Sequence, residues 1–226
     1  MNTEQTASLL RRAAVHAALA DVTRLRIVDL LSLSDRSASE LGGELAIPSN
    51  LLAHHVKSLE AAGLVTRHRS EGDARRTYLS LDPDGTSLLG TTRDSPGVRA
   101  RRVLFVCTAN TARSHLAAAL WRQASTVEVA SAGTEPGERI NPGALSAARR
   151  HHLDLPDVAP RLLAETVADG DLVITVCDRA HEEVGGSAWA HWSVADPVPA
   201  ATRTAFDRAH STLAARVRAL APLVSA

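Results

Sequence analysis

The chain has 226 residues, room for two small domains or one large one. Its 25 basic and 25 acidic side chains cancel to a formal charge of +0, which excludes a global basic field as the basis of nucleic-acid binding; any such surface has to be local. Two cysteines, no secretory start and no apolar stretch of spanning length lead to the expectation of a cytoplasmic protein that does not enter a membrane.

In chain order, a first helix is expected over Thr3–Leu19, with Leu9, Leu10, Ala13 and Ala17 available to carry a dimer contact. A second follows Asp21, with Leu25, Val28 and Leu31 along one side. Ser37-Ala-Ser-Glu40 has the form of a capping box and opens a short helix. Ile47-Pro48-Ser49 reads as a tight turn, with Ser49 placed to cap the next helix. There Leu52, Val56 and Leu59 recur at i, i+4 and i+7 toward a core, while Asn50, Ala53, His54 and Lys57 share the opposite face. Gly63 ends that helix. Residues 65–69 and 75–79 then form two short basic strands around Glu71-Gly72-Asp73. Two helices joined by a tight turn and followed by a basic hairpin predict an α+β winged helix-turn-helix domain over residues 1–85.

The stretch from Ala17 to Leu81 resembles the arsenic-repressor (ArsR) family of bacterial regulators. The residues that carry the likeness are Leu19-Ala-Asp-x-Thr-Arg-Leu-Arg-Ile27 and His55-Val-Lys-Ser-Leu-Glu-Ala-Ala-Gly-Leu-Val65. The resemblance implies a homodimer that binds a double-stranded DNA operator, with the helix from Ser49 in the major groove and the hairpin along the backbone. Asn50, His54 and Lys57 are then the candidates for base contact, and Arg67, Arg69, Arg75 and Arg76 for phosphates. A winged helix that binds only protein is the competing reading. Residues 1–106 contain no cysteine, so this half has no thiol with which to sense arsenite. His54 and His55, adjacent and about 100° apart on a helix, make a poor metal pair, and no metal site is expected.

Residues 86–101, with two glycines, a proline and several hydroxyl side chains, have the composition of a linker. Beyond it, over residues 102–226, strands and helices alternate. Val103-Leu-Phe-Val106 reads as a buried strand and Arg113 to Leu120 as a helix. Val127 to Thr134 gives a second strand and turn, Asp171 to Cys177 a third strand, and His191 to Pro197 a fourth with its exit loop. A helix from Thr202 to Leu220 closes the domain. The expected architecture is an α/β domain on a four-stranded parallel sheet, its active groups at the carboxyl ends of the strands.

The most informative segment lies between the first of those strands and its helix: Cys107-Thr108-Ala109-Asn110-Thr111-Ala112-Arg113-Ser114. Consecutive backbone N–H groups at a helix N-terminus suit a tetrahedral oxyanion, and the Arg113 fork can clamp two of its oxygens. The same positive field favours the nucleophilic thiolate at Cys107, to which Ser114 can donate.

This loop resembles the signature of the low-molecular-weight protein tyrosine phosphatases and of the arsenate reductases built on the same fold. The resemblance makes Cys107 the nucleophile, Thr108 to Arg113 the oxyanion cradle, and Asp196, ahead of Pro197, the general acid. Phosphotyrosine enzymes of the family place aromatic residues just after Asp-Pro; here Val198-Pro-Ala-Ala stands instead, which favours arsenate or another small oxyanion. Thioredoxin-coupled arsenate reductases relieve the nucleophile with two further cysteines. Cys177 matches the first of these, the second would fall at Val184, and a three-thiol relay is excluded by count. No bound cofactor is expected, only an external thiol reductant, thioredoxin or a low-molecular-weight thiol.

Three readings stay open. A DNA-binding regulator carries a domain that reduces arsenate through Cys107; the same domain binds the oxyanion without turnover and acts as a sensor; or it is a phosphatase. Cys177 is either the resolving thiol or a plain buried core cysteine.

Overall fold

The computed structural model describes residues 3–82, 97–156 and 158–226. The chain divides into two compact units, Met1–Arg69 with Ala74–Asp94, and Ser70–Asp73 with Ser95–Ala226. Most of the expected linker lies outside the described residues.

In the first unit the order is α1 (Thr3–Leu19), α2 (Val22–Leu33), β1 (Arg36–Ser37), α3 (Ala38–Leu45), α4 (Ser49–Ala61), β2 (Val65–Arg69) and β3 (Thr77–Leu81). Local chemistry sets the boundaries. Asp21 caps α2 by accepting from the Arg24 N–H at 2.9 Å. The capping box at Ser37 and Glu40 closes in both directions. Gly63, at φ +70°, takes the left-handed turn after α4 that a side chain would oppose. The strands form an antiparallel sheet in the order β1-β3-β2, with Val65 opposite Leu81 and Arg69 opposite Thr77.

The core of this unit is Ile27, Leu31, Leu41, Leu52, Val56, Leu59, Leu64 and Leu79. The stripe expected on α4 is therefore the buried one. Three expectations change. Leu25 is exposed, because α2 buries Ile27, Val28, Leu30 and Leu31, and Leu25 sits about 200° around the helix from Ile27. Ser49 is the first helical residue and not the cap, which falls on Pro48 and makes no side-chain hydrogen bond. Arg75 and Arg76 precede β3 instead of belonging to it.

The second unit contains β4 (Val98–Arg99), β5 (Arg102–Cys107), α5 (Arg113–Ala124), β6 (Glu128–Gly133), α6 (Pro142–Arg150), α7 (Leu163–Thr166), β7 (Asp171–Thr175), α8 (Asp178–Glu183), β8 (Ala190–His191), α9 (Pro197–Ala200), α10 (Arg203–Leu220) and β9 (Val224–Ser225). Four strands make a parallel sheet in the order β6-β5-β7-β8. Val98 and Arg99, linker by composition, pair in parallel with Val224 and Ser225. Val103 to Cys107 are all buried, as a strand covered on both faces requires. Phe105 packs between Trp121 and Trp192, ring centroids 6.0 and 5.5 Å away. This topology opens the carboxyl ends of β5, β7 and β8 onto one edge of the sheet, where Cys107, Cys177 and the loop to Asp196 emerge. Among the described residues no helix is long and apolar enough to cross a membrane.

Candidate active site and nucleic-acid face

β5 delivers Cys107 to the edge of the sheet and α5 starts at Arg113, so Thr108 to Ala112 are the loop between them. The carbonyls of Cys107, Thr108, Ala109 and Thr111 are taken by the N–H groups of Thr134, Glu135, Gly137 and Asn141, at 2.9–3.2 Å. In a planar trans peptide the N–H points opposite its carbonyl, so this outer loop turns the amides of the inner one toward the cleft. The Asn110 N–H demonstrates the direction, lying 3.2 Å from the Cys107 sulfur. Gly133 permits the two loops to meet: a Cβ there would stand 2.5 Å from the Thr108 carbonyl oxygen.

The Cys107 sulfur also lies 3.1 Å from the Ser114 hydroxyl oxygen. That oxygen accepts from the Asn110 side-chain amide at 2.8 Å, which leaves the Ser114 hydrogen for the sulfur. Asn110 itself is fully buried at φ +50°, its amide oxygen accepting from the Arg161 N–H at 2.9 Å. Its side chain braces the loop and does not line the cleft; only its N–H faces the sulfur.

Arg113 is buried in the first turn of α5. It donates to the Val194 carbonyl at 2.9 Å and pairs with the Asp196 carboxylate at 3.0 Å. Burial opposes its charge, but Cys177, Asp196 and Cys107 outweigh that and hold its proton more tightly than usual. Asp196 caps α9 by accepting from the Val198 N–H at 3.1 Å. Cys177 caps α8 and sits 3.4 Å from the Thr108 hydroxyl. Burial pushes its thiol pKa up, against the pull of Arg113. Cys107, Thr108, Ala109, Thr111, Ala112, Arg113, Cys177 and Asp196 thus line one cleft, with Val198 and Arg179 on its wall. Cys177 is buried and also borders the cleft. The outer loop from Thr134 to Asn141 was not singled out by sequence, since it carries no motif of its own.

His115, next to Ser114, is 4% exposed; it is hydrogen-bonded to the Asn110 backbone, and its Nε2 has no partner among the described residues. Burial holds its pKa down to about 4. Its folded value lies below the unfolded one of about 6.5, so stability is lost as pH falls between them. Denaturant unfolding at pH 7 and pH 4.5 is expected to show about 2 kcal/mol of acid destabilisation that the His115→Gln variant lacks. Equal losses in both proteins would remove His115 as the cause.

On the first unit, Asn50, Ala53, His54 and Lys57 are exposed along one face of α4, and His55 is buried on the other. Arg67 is engaged by Glu60 of the same helix, at 3.0 and 3.4 Å, so part of its charge is already neutralised. Arg69, Arg75 and Arg76 are exposed. Arg67, Arg75 and Arg76 line a groove with Ser37 and Glu40 at the start of α3.

Comparison with known proteins falls along the same division. Residues 19–68 match a helix-turn-helix domain. An organic hydroperoxide resistance transcriptional regulator of Bacillus subtilis is 38% identical over 61 residues, 27% of this chain and 42% of that protein. A protein-arginine-phosphatase of the same organism is 32% identical over 97 residues, 40% of this chain and 64% of that protein, so the chain spans less than two thirds of either relative. Among solved structures, an arsenate reductase from Archaeoglobus fulgidus covers 53% of this chain and 98% of its own at 28% identity and a TM-score of 0.46. The tyrosine phosphatase amsI of Erwinia amylovora covers 56% and 95% at 24% identity and a TM-score of 0.48. Residues 102–226, more than half of the chain, match the low molecular weight phosphotyrosine protein phosphatase family, and the chain belongs to that family.

Proposed function

We propose that the chain is a DNA-binding regulator of the ArsR type whose second unit reduces arsenate through Cys107. The observation that carries the arsenate reading is the second thiol in the cleft. A phosphatase needs one nucleophilic sulfur; the reduction of arsenic needs two electrons, and Cys107 with Cys177 supplies them as a dithiol.

The Cys107 thiolate attacks arsenic, and Asp196, protonated, gives its proton to the departing oxygen, which leaves as water. The incoming anion takes over the guanidinium that Asp196 pairs with, and the displaced carboxylate is then free to carry that proton. Cys177, as thiolate, attacks the Cys107 sulfur. The sulfur–arsenic pair departs with arsenic as arsenite, and a Cys107–Cys177 disulfide remains. The dithiol of thioredoxin, or two equivalents of a low-molecular-weight thiol, returns the disulfide to two thiols and is itself oxidised to a disulfide.

In the first unit, Asn50, His54 and Lys57 read the major groove of double-stranded DNA, and Arg69, Arg75 and Arg76 neutralise phosphates of a homodimer's operator. Binding to the DNA upstream of its own gene is expected to weaken with salt, and Arg75→Ala/Arg76→Ala to reduce the salt slope by about 2. A slope unchanged in the double variant would take both side chains off the phosphates.

A second reading, a phosphatase, is favoured by the protein-arginine-phosphatase among the relatives. The test is arsenate turnover by the purified protein with each reductant, beside Cys107→Ser and beside hydrolysis of p-nitrophenyl phosphate. Multiple turnovers of arsenate that Cys107→Ser lacks would support reduction. Hydrolysis alone would move the assignment to a phosphatase, and tight arsenate binding with neither activity would move it to a sensor.

A further inference from the structure

Behind the cleft lies a buried polar network that the reaction does not use directly. Asp178, 2% exposed, opens α8 immediately after Cys177. Its Oδ1 accepts from the Ser193 hydroxyl at 2.5 Å and lies 3.1 Å from Nε2 of His191, which is 1% exposed. An ionised carboxylate only accepts, so His191 carries its proton on Nε2 and turns Nδ1 toward the Thr175 hydroxyl, 3.0 Å away. The His181 ring stacks on His191 at 4.2 Å and braces it. Burial raises the Asp178 pKa, but the bonds from His191 and Ser193 prevail and keep it below the usual carboxylate range.

The direction of this network is what matters. Ser193 is followed by Val194, whose carbonyl takes one Arg113 N–H, and two residues later by Asp196, which pairs with the other side of the same fork. Asp178 therefore fixes the start of the loop that orients both the anion clamp and the proton donor, and it does so from the residue adjoining Cys177. We infer that Asp178, with His191 and Ser193, is a positioning group that holds the Arg113 guanidinium and the Asp196 loop in register with Cys107. This rests on the reading of the cleft as an anion site.

A loop set free in this way has a signature that a merely weakened fold does not. Misplacing the proton donor costs more for a poor leaving group than for a good one, and misplacing Arg113 costs affinity for the anion even without turnover. The full chain and its Ser193→Ala, Ser193→Thr and Asp178→Asn variants are titrated with inorganic phosphate by calorimetry and assayed on p-nitrophenyl and phenyl phosphate. Ser193→Ala is expected to bind phosphate about tenfold more weakly. Its rate loss is expected to be several times larger on phenyl than on p-nitrophenyl phosphate, and Ser193→Thr to restore both. Asp178→Asn, which keeps the shape and removes the charge, should fall between. Phosphate affinity equal to wild type in Ser193→Ala and Asp178→Asn, or a rate loss the same for both esters, overturns the positioning role. If the wild type hydrolyses neither ester, the phosphate titration decides alone. A wild type that binds no phosphate overturns the anion-site reading and the positioning role with it.

Discussion

Arg113→Lys is expected to lower arsenate turnover roughly a thousandfold and to weaken inhibition by phosphate, with little change in the unfolding midpoint. The guanidinium is held in one plane by the Val194 carbonyl at 2.9 Å and by Asp196 at 3.0 Å, on different nitrogens. With one nitrogen fixed on the Val194 carbonyl, the planar fork can turn toward a tetrahedral anion the N–H groups that Asp196 engages here. An ammonium is a point charge on a shorter reach; it can satisfy the carbonyl or the anion, and not both in the same orientation. Steady-state kinetics with the reductant that supports turnover, together with a phosphate inhibition constant, measures the loss. Kinetic constants within threefold of wild type would show that Arg113 does not hold the reacting anion.

So large an effect from one side chain is expected because the other donors that the inner loop turns toward the anion are backbone amides. In the outer loop the N–H groups of Thr134, Glu135, Gly137 and Asn141 are already engaged in turning the inner loop's carbonyls away. Those inner amides are fixed dipoles that need no reorganisation when an anion arrives, but they carry only partial charge. Arg113 is the one full positive charge the sequence places in the loop, and its burial means water cannot replace it.

What could be read from sequence follows the range of the interactions. The strand, loop and helix around Cys107 are contiguous, so their spacing is enough to place Cys107, Arg113 and Ser114 around one loop. The capping box at Ser37 and the buried stripe of α4 are likewise settled within a few residues. Leu25 is exposed against its spacing because the stripe of a short helix is fixed by its neighbours: α2 is oriented by Ile27 and Leu31 against the rest of the unit. Val98 and Arg99 look like linker and become strand only because Val224 and Ser225, at the far end of the chain, lie alongside. Cys177 has the same character. Seventy residues separate it from Cys107, and only the neighbouring positions of β5 and β7 in the sheet bring their exits together. The bracing of the clamp by Asp178, His191 and Ser193 joins three elements and has no sequence signal at all.

Cys177→Ser should separate the two chemistries open to the cleft. Cys177 is 1% exposed, and burial raises its pKa, so at neutral pH it is mostly the neutral thiol, a poor nucleophile toward phosphorus or arsenic. On the proposed route it acts only after Cys107 has bonded to arsenic, and its target is then sulfur. The serine variant is expected to stop after one adduct per chain, lowering steady-state arsenate reduction about a hundredfold. Hydrolysis of p-nitrophenyl phosphate, which needs no second thiol, should change by less than about threefold. The pH profile carries the same distinction. With a raised thiol pKa the thiolate fraction climbs about tenfold per unit across the neutral range, so a rate limited by Cys177 rises toward alkaline pH, and the hydrolytic rate does not share that rise. Arsenate reduction that survives Cys177→Ser with the wild-type pH profile would mean that an external thiol attacks the Cys107 adduct directly. The cleft would then hold its second sulfur for packing against Thr108 and not for electrons.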